Sequence, residues 1–240
     1  MTELESTLPQ LLTLAAFTGF IHTILGPDHY VPFIAMAKAA GWSLARTLVI
    51  AFVCGIGHVA GSVVLGFVGV GLGWAVSGMT GFESARGQLA SWLLIGFGIA
   101  YTIWGIRRAW INRPHGHLHI HADGRVHRHA DGEDHAHVHE ENPPDAHQVV
   151  TGWALFTIFI FGPCEPLIPQ LMVPAADKSW FGVALVALVF GVATITTMLG
   201  AVTIGYLGLA SLSGLPIVRH VHTLTGLALT ICGLAMVLGL

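Results

Sequence analysis

Apolar residues gather in six long stretches along this chain, at about 9–37, 45–71, 88–106, 149–173, 181–208 and 215–239. A helix rises 1.5 Å per residue, so each stretch is long enough to cross the roughly 30 Å of hydrocarbon in a bilayer. Short polar turns separate them, except for one long polar segment that follows the third. The first and fourth stretches are interrupted, by Gly26-Pro27 and Gly162-Pro163. Proline has no N–H for the preceding turn, and it pushes the residue before it out of helical geometry. Both spans should therefore break or kink sharply near mid-depth. Backbone groups freed at such a break must be buried in protein or line a cavity.

The two breaks are related by a repeat. A gapless shift of 136 residues lays Gly26-Pro27 on Gly162-Pro163, and it also matches Met36 with Met172, Ala39-Ala40 with Ala175-Ala176, Ser43 with Ser179, Gly55 with Gly191, Gly69 with Gly205 and Ser77-Gly78 with Ser213-Gly214. Matches among Gly and Ala carry little weight in a chain with 30 glycines; two breaks falling at equivalent places in two spans carry more. Three crossings per half reverse the second half relative to the first. The expected fold is all-α: a polytopic membrane protein of about six transmembrane helices, arranged as a 3+3 inverted repeat with broken first and fourth helices. Residues 1–110 form the first repeat, 111–148 a flexible His-rich loop and 149–240 the second repeat.

Composition sharpens this. The chain is 54% hydrophobic and 10% charged, whereas a soluble domain carries about 25% charged residues. It lacks the polar surface to face water on all sides. A net charge of −3 gives nucleic acid nothing to bind. Cys54, Cys164 and Cys232 lie in apolar runs without CxxC spacing and make no disulfide framework. The acidic start, with Glu3 and Glu5 and no basic residue, is unlike a signal peptide, so the first span is expected to be retained. With six crossings, Lys38, Arg46, Arg107, Arg108, Arg113, Arg125, Arg128 and Arg219 share one side, and Arg86 and Lys178 lie on the other. That bias predicts a cytoplasmic loop and both termini outside. Trp42, Trp74, Trp104, Trp110, Trp153 and Trp180 sit near span ends, where an aromatic belt belongs.

Candidate chemistry collects at the breaks. His22 and His29, seven apart, would share one face of a continuous helix, and Asp28 precedes His29 at the break. Ionisable groups inside a span are costly unless paired or coordinated. Two imidazoles and a carboxylate make a partial site for a borderline divalent cation; the competing reading is a neutral hydrogen-bonded pair that supports the kink. In the second span, Cys54-Gly-Ile-Gly-His58 combines small residues that let another helix approach with an imidazole facing the bundle. A single His on an apolar helix is more often a satisfied core residue, and His58 gains weight from its neighbours. At the second break, Cys164 and Glu165 fall on Asp28 and His29 under the repeat and would complete the site from the other half. Alternatively Cys164 is a small buried hydrophobe and Glu165 is paired with a basic residue. Thr194, Thr196 and Thr197 lie at the level of His58 and more simply satisfy backbone.

Ten of the 15 histidines, His115, His117, His119, His121, His127, His129, His135, His137, His139 and His147, fall in one segment almost without large apolar side chains. Such a segment cannot bury enough surface to fold alone, and its imidazoles are suited to Ni²⁺, Co²⁺, Zn²⁺ or Cu²⁺. It reads as an auxiliary metal buffer or sensor, or else as a tolerated linker. His220 and His222, at the mouth of the last span, are candidates for relaying ions or for interfacial packing.

Taken together, His22…Gly26-Pro27-Asp28-His29 resembles the His/Asp-His signature of the nickel/cobalt transporter (NiCoT/NicO) superfamily. Cys54-Gly-Ile-Gly-His58 is similar to its second-helix Gly-His element, and Gly162-Pro-Cys-Glu-Pro-Leu-Ile-Pro169 to its second-half Pro-Cys-Pro region. The likeness is greatest to the shorter, urease-accessory-like (UreH-type) branch and covers about 15–70 and 150–200. Five residues separate His22 from Asp28, where the permease signature has four. The resemblance implies a secondary transporter of Ni²⁺ or Co²⁺, with Zn²⁺ as a further cargo. It would lie in a prokaryotic inner or plasma membrane, hold no permanent cofactor, catalyse no reaction and meet a cytoplasmic metal chaperone. His22, Asp28, His29 and His58 would hold the ion, and Cys164 or Glu165 would close the site. Three rivals remain. A thiol-disulfide carrier of the cytochrome-biogenesis type would need a cysteine at each break, and the first break has Asp28 instead. An anion exporter would need basic residues near mid-depth, where this reading places none. A non-transporting metal sensor or accessory protein would use the loop alone.

Overall fold

The computed structural model describes residues 3–72, 76–111, 117–120, 126–129, 146–162, 164, 166–210 and 220–239. The first break is built from the sequence outward. Helix α1 (Glu3–Leu25) stops at Gly26, and Pro27–His29 form a single 3₁₀ turn closed by the Tyr30 N–H on the Pro27 carbonyl at 3.3 Å. Helix α2 (Val31–Ala40) then restarts with Pro32 in its first turn, where a missing N–H costs nothing. It ends on Gly41 at φ +65, a left-handed cap that favours glycine, with the Trp42 N–H returning to the Ala37 carbonyl at 2.9 Å. Ser43 caps helix α3 (Leu44–Gly71) by accepting the Arg46 N–H at 3.3 Å.

Helix α4 covers Val76–Ile111. The second half repeats the plan with α5 (Ala146–Ile160), a break, α6 (Leu167–Ala176), α7 (Trp180–Ala210) and α8 (Val221–Val237). Within the polar segment, strands β1 (His117–Ile120) and β2 (Val126–His129) pair antiparallel, a local feature that the composition did not suggest.

Four helices are long and apolar enough to cross a membrane, at Thr7–Leu25, Leu44–Gly69, Gly78–Ile111 and Trp180–Leu209. Two departures from the sequence reading concern the third stretch and Trp42. The helix begins twelve residues before the expected position 88, because Glu83 and Arg86 neutralise one another inside it at 2.7 Å. Arg86 is therefore a packed helical residue rather than one beyond the span. Trp42 does not face outward as a belt residue: it is buried, with the Arg46 guanidinium 5.5 Å from its ring centre and the Tyr206 hydroxyl donating to its carbonyl at 2.9 Å.

The broken helices lean on the other half. Gly19 packs against Phe190 and Thr194, Ile34 against Gly205, and Tyr206 bonds Trp42, so α1 and α2 run together alongside α7 in the same sense. Gly57 meets Phe156, Gly61 the Ile160 carbonyl and Gly66 Leu171, so α5 and α6 run likewise alongside α3. Helices α3 and α7 cross in opposite senses, with Gly55 against Met198 and Gly191 against Val59. Helices α4 and α8 are also opposed and share the most extensive contact in the fold. Gly98 faces Thr230 and Gly226, Gly105 faces Thr223, and Gly233 faces Ser91 and Ile95. Glycines let these backbones touch.

A methyl group on Gly98 would lie 2.5 Å from Thr230 Oγ1 and 2.6 Å from its amide N, whereas one on Gly96 would meet nothing. Gly98→Val should therefore lower the thermal midpoint of the detergent-solubilised protein by several degrees, as overpacking by about 1–3 kcal/mol does. Gly96→Val should leave it unchanged. Temperature-stepped size-exclusion chromatography checks both, and equal midpoints for the two variants would refute the close contact.

Candidate metal centre

The last turn of α1 presents His22, the 3₁₀ turn presents His29, and α3 delivers His58 from its midpoint. Their rings are 4.7 Å apart (His22–His29), 5.0 Å (His29–His58) and 6.4 Å (His22–His58), centre to centre. One ring nitrogen from each comes within 4.8 Å of the other two. His29 and His58 are each 2% exposed. Phe190 approaches His22 at 6.4 Å and Phe159 approaches His58 at 6.1 Å. These phenylalanines belong to two separate apolar clusters, so the imidazoles sit between them, away from the outer surface of the bundle.

Hydrogen bonds set which nitrogen is free. His58 Nδ1 lies 3.2 Å from the Phe159 carbonyl, and His29 Nδ1 lies 3.1 Å from the Gly26 carbonyl and 3.3 Å from Asp28 Oδ1. A carbonyl only accepts, so in each bond Nδ1 holds the proton and Nε2 carries a lone pair. The Nε2 atoms of His22, His29 and His58 are all buried without a hydrogen-bond partner. An unpaired buried polar atom costs about 1–3 kcal/mol, and three clustered in one place call for a shared partner. One group that takes several imidazole lone pairs at once is a metal cation. Ligation at about 2.1 Å needs nitrogens about 3–3.4 Å apart, so the widest pair closes by about 1.5 Å around an ion. A backbone or carboxylate acceptor on the far nitrogen is the usual support for a ligating His.

Both Gly-Pro breaks contribute to this one site. A methyl on Gly26 would fall 2.6 Å from His29 Nδ1 and 2.8 Å from Asp28 Oδ1; one on Gly162 would fall 2.7 Å from His58 Nδ1. The second break thus enters through the bare backbone of Gly162 and the carbonyl of Phe159. Cys164, by contrast, is fully buried among Leu167, Leu171, Val183 and Val186 and lies outside the imidazole group. Asp28 stands behind His29 as its partner and is likewise outside the group of three. Glu165 lies outside the described residues, as do His115, His121, His135, His137 and His139. His117 and His119 on β1 stand opposite His129 and His127 on β2 by register. His222 bonds Tyr101 at 3.0 Å and packs on Trp104, apart from the three.

A cavity of about 620 Å³ reaches the site between α1, α4 and α8. It extends from His22, Asp28 and His29 past Gln88 to Met236 and Gly239, toward the end of the bundle where α4 begins and α8 finishes. The sequence reading missed the pair that closes the second break. Arg86 donates to the carbonyls of Ile160 at 2.9 Å and Gly162 at 3.3 Å, and Glu83, 0% exposed, accepts the Cys164 N–H at 3.4 Å. Opposite charges three apart between Phe82 and Leu89 were the available signal. Arg86 does not supply a free cation near mid-depth, because its guanidinium is shared among a carboxylate and two carbonyls. Comparison with protein-family models, characterised proteins and solved structures finds no match to this chain.

In protein whose loop histidines are replaced by serine, His29→Ala and His58→Ala should each weaken Co²⁺ binding at least tenfold by titration calorimetry. Gly162→Ala keeps every ligand but should weaken binding as well, because His58 must move. Unchanged affinity in His58→Ala would remove α3 from the site.

Proposed function

We propose that this chain is a secondary transporter of a divalent transition-metal ion, Ni²⁺ or Co²⁺ above others, working by alternating access. The observation that carries this reading is the trio of buried, unpartnered Nε2 atoms at a helix break, beside a cavity lined by His22, Asp28 and His29. Imidazole nitrogen suits these borderline cations, and the absence of a thiol from the group of three disfavours softer ions. Asp28 supplies a negative charge beside the ion and orients His29.

In this reading the chain has six spans: the broken pairs α1–α2 and α5–α6, and α3, α4, α7 and α8. The reciprocal packing supports an inverted repeat. Each broken span lies along the second span of the other half in the same sense, and the equivalent helices α3 with α7, and α4 with α8, oppose one another. The shift of 136 places Thr194 opposite His58, near where α3 and α7 cross. Under the basic-residue bias the His-rich segment is cytoplasmic and the cavity faces the other side. The ion would enter the cavity, exchange water for imidazole, and leave when the breaks rearrange toward the loop end.

The thiol-disulfide reading finds less support. Cys54 and Cys164 are buried in different apolar clusters, and all three cysteines are free thiols. Metal uptake into liposomes separates the readings. Asp28→Ala and His29→Ala should reduce Co²⁺ flux at least tenfold, while deletion of 115–139 and the Cys54→Ser/Cys164→Ser double substitution should keep flux within about twofold. Parental flux in Asp28→Ala would overturn the site, and loss of flux in the cysteine double variant would favour the redox carrier.

A further inference from the structure

The two breaks carry the same Gly-Pro pair but are closed by different means. In the first half the Tyr30 hydroxyl, from the same segment, donates to the Ile24 carbonyl at 3.3 Å. The equivalent carbonyl under the repeat is that of Ile160, and its donor is Arg86 from another helix. The first break is thus self-contained, whereas the second is strapped to α4. The strap joins four hydrogen bonds. Arg86 Nη1 donates to Glu83 Oε1 at 2.7 Å, Nη2 donates to the carbonyls of Ile160 and Gly162, and Glu83 Oε2 takes the N–H of Cys164. It ends α5 with a cation, as a helix C-terminus prefers, and supplies an acceptor to the amide that follows.

Its position ties it to the metal centre. The carbonyl one residue before Ile160 is that of Phe159, which receives His58 Nδ1. On α3, one turn after His58, Gly61 leaves the room that the guanidinium fills: a methyl there would lie 2.7 Å from Arg86 Nη2 and 3.2 Å from the Ile160 carbonyl. Only a planar fork reaches a carboxylate and two carbonyls at once from that slot; an ammonium is a point donor.

We propose that Glu83 and Arg86 are positioning residues of the metal site: by strapping the second break to α4 they hold the Phe159 carbonyl on His58 Nδ1, and so keep His58 Nε2 bare and aimed at the ion. This rests on the metal-binding reading, and two measurements separate them. In protein lacking the loop histidines, Co²⁺ titration followed by the cobalt ligand-field absorption reports the ligand set, and ¹⁵N-histidine NMR of metal-free protein reports the His58 tautomer.

Arg86→Gln should weaken Co²⁺ at least tenfold, shift the absorption band and convert His58 from one Nδ1–H tautomer to a mixture. Arg86→Lys should not restore either signal, and Glu83→Gln, which keeps the native shape, should reproduce the loss. Parental affinity, band and tautomer in Arg86→Gln and Glu83→Gln would overturn the strap while leaving the metal site standing. If the parent binds no Co²⁺, the metal reading falls, and the tautomer decides the strap alone: its loss in Glu83→Gln or Arg86→Gln supports it, and its persistence refutes it.

Discussion

Hydrocarbon offers no hydrogen bonds, and that constraint organises this molecule. A helix apolar enough to lie in lipid can stop midway only if every freed N–H and C=O finds a partner in protein. At the first break the partners are local: the Gly26 carbonyl receives the His29 backbone N–H and lies against its ring nitrogen, and Tyr30 reaches back to Ile24. At the second they are distant: His58 from α3 on Phe159, Arg86 from α4 on Ile160 and Gly162. Polar side chains are drawn to the breaks by unmet backbone. The same bonds leave the Nε2 atoms of His29 and His58 bare in the cluster that they form with His22.

This explains why glycine precedes proline at both places. Proline interrupts the helix, and glycine leaves space for an imidazole to press against the backbone that the interruption exposes. His29 occupies that space at Gly26, and His58 does so at Gly162. One cluster is thereby assembled from two halves of the chain, with the imidazoles all from the first half and part of their support from the second.

Much of this was legible in the residues. Proline-glycine pairs inside long apolar runs mark breaks because their steric effect is local, and His22, His29 and His58 stand out because imidazole inside such runs is costly unless used. What escaped depended on partners remote in sequence. Arg86, beside an expected span boundary, reads as a residue beyond the span until Glu83 and the Ile160 carbonyl are seen around it. Trp42 fits an interfacial belt by position, yet it is buried, and Tyr206, 164 residues away, bonds its carbonyl. Cys164 aligns with Asp28 under the repeat, but the shift carries no information on its neighbours, which are an apolar cluster on one side and Ser62, Glu83 and Arg86 on the other.

The mutual leaning of the broken spans also bears on how far either half could stand alone. Helix α1 finds its scaffold in α7 and α5 finds its own in α3, while α2 lies against α7 and α8 and α6 against α3 and α7. A single half would leave the first arm of its interrupted segment, α1 or α5, without that rail. In the chain as it stands the first half carries both the imidazoles and the strap of Glu83 and Arg86, and the second half contributes the broken backbone that they hold.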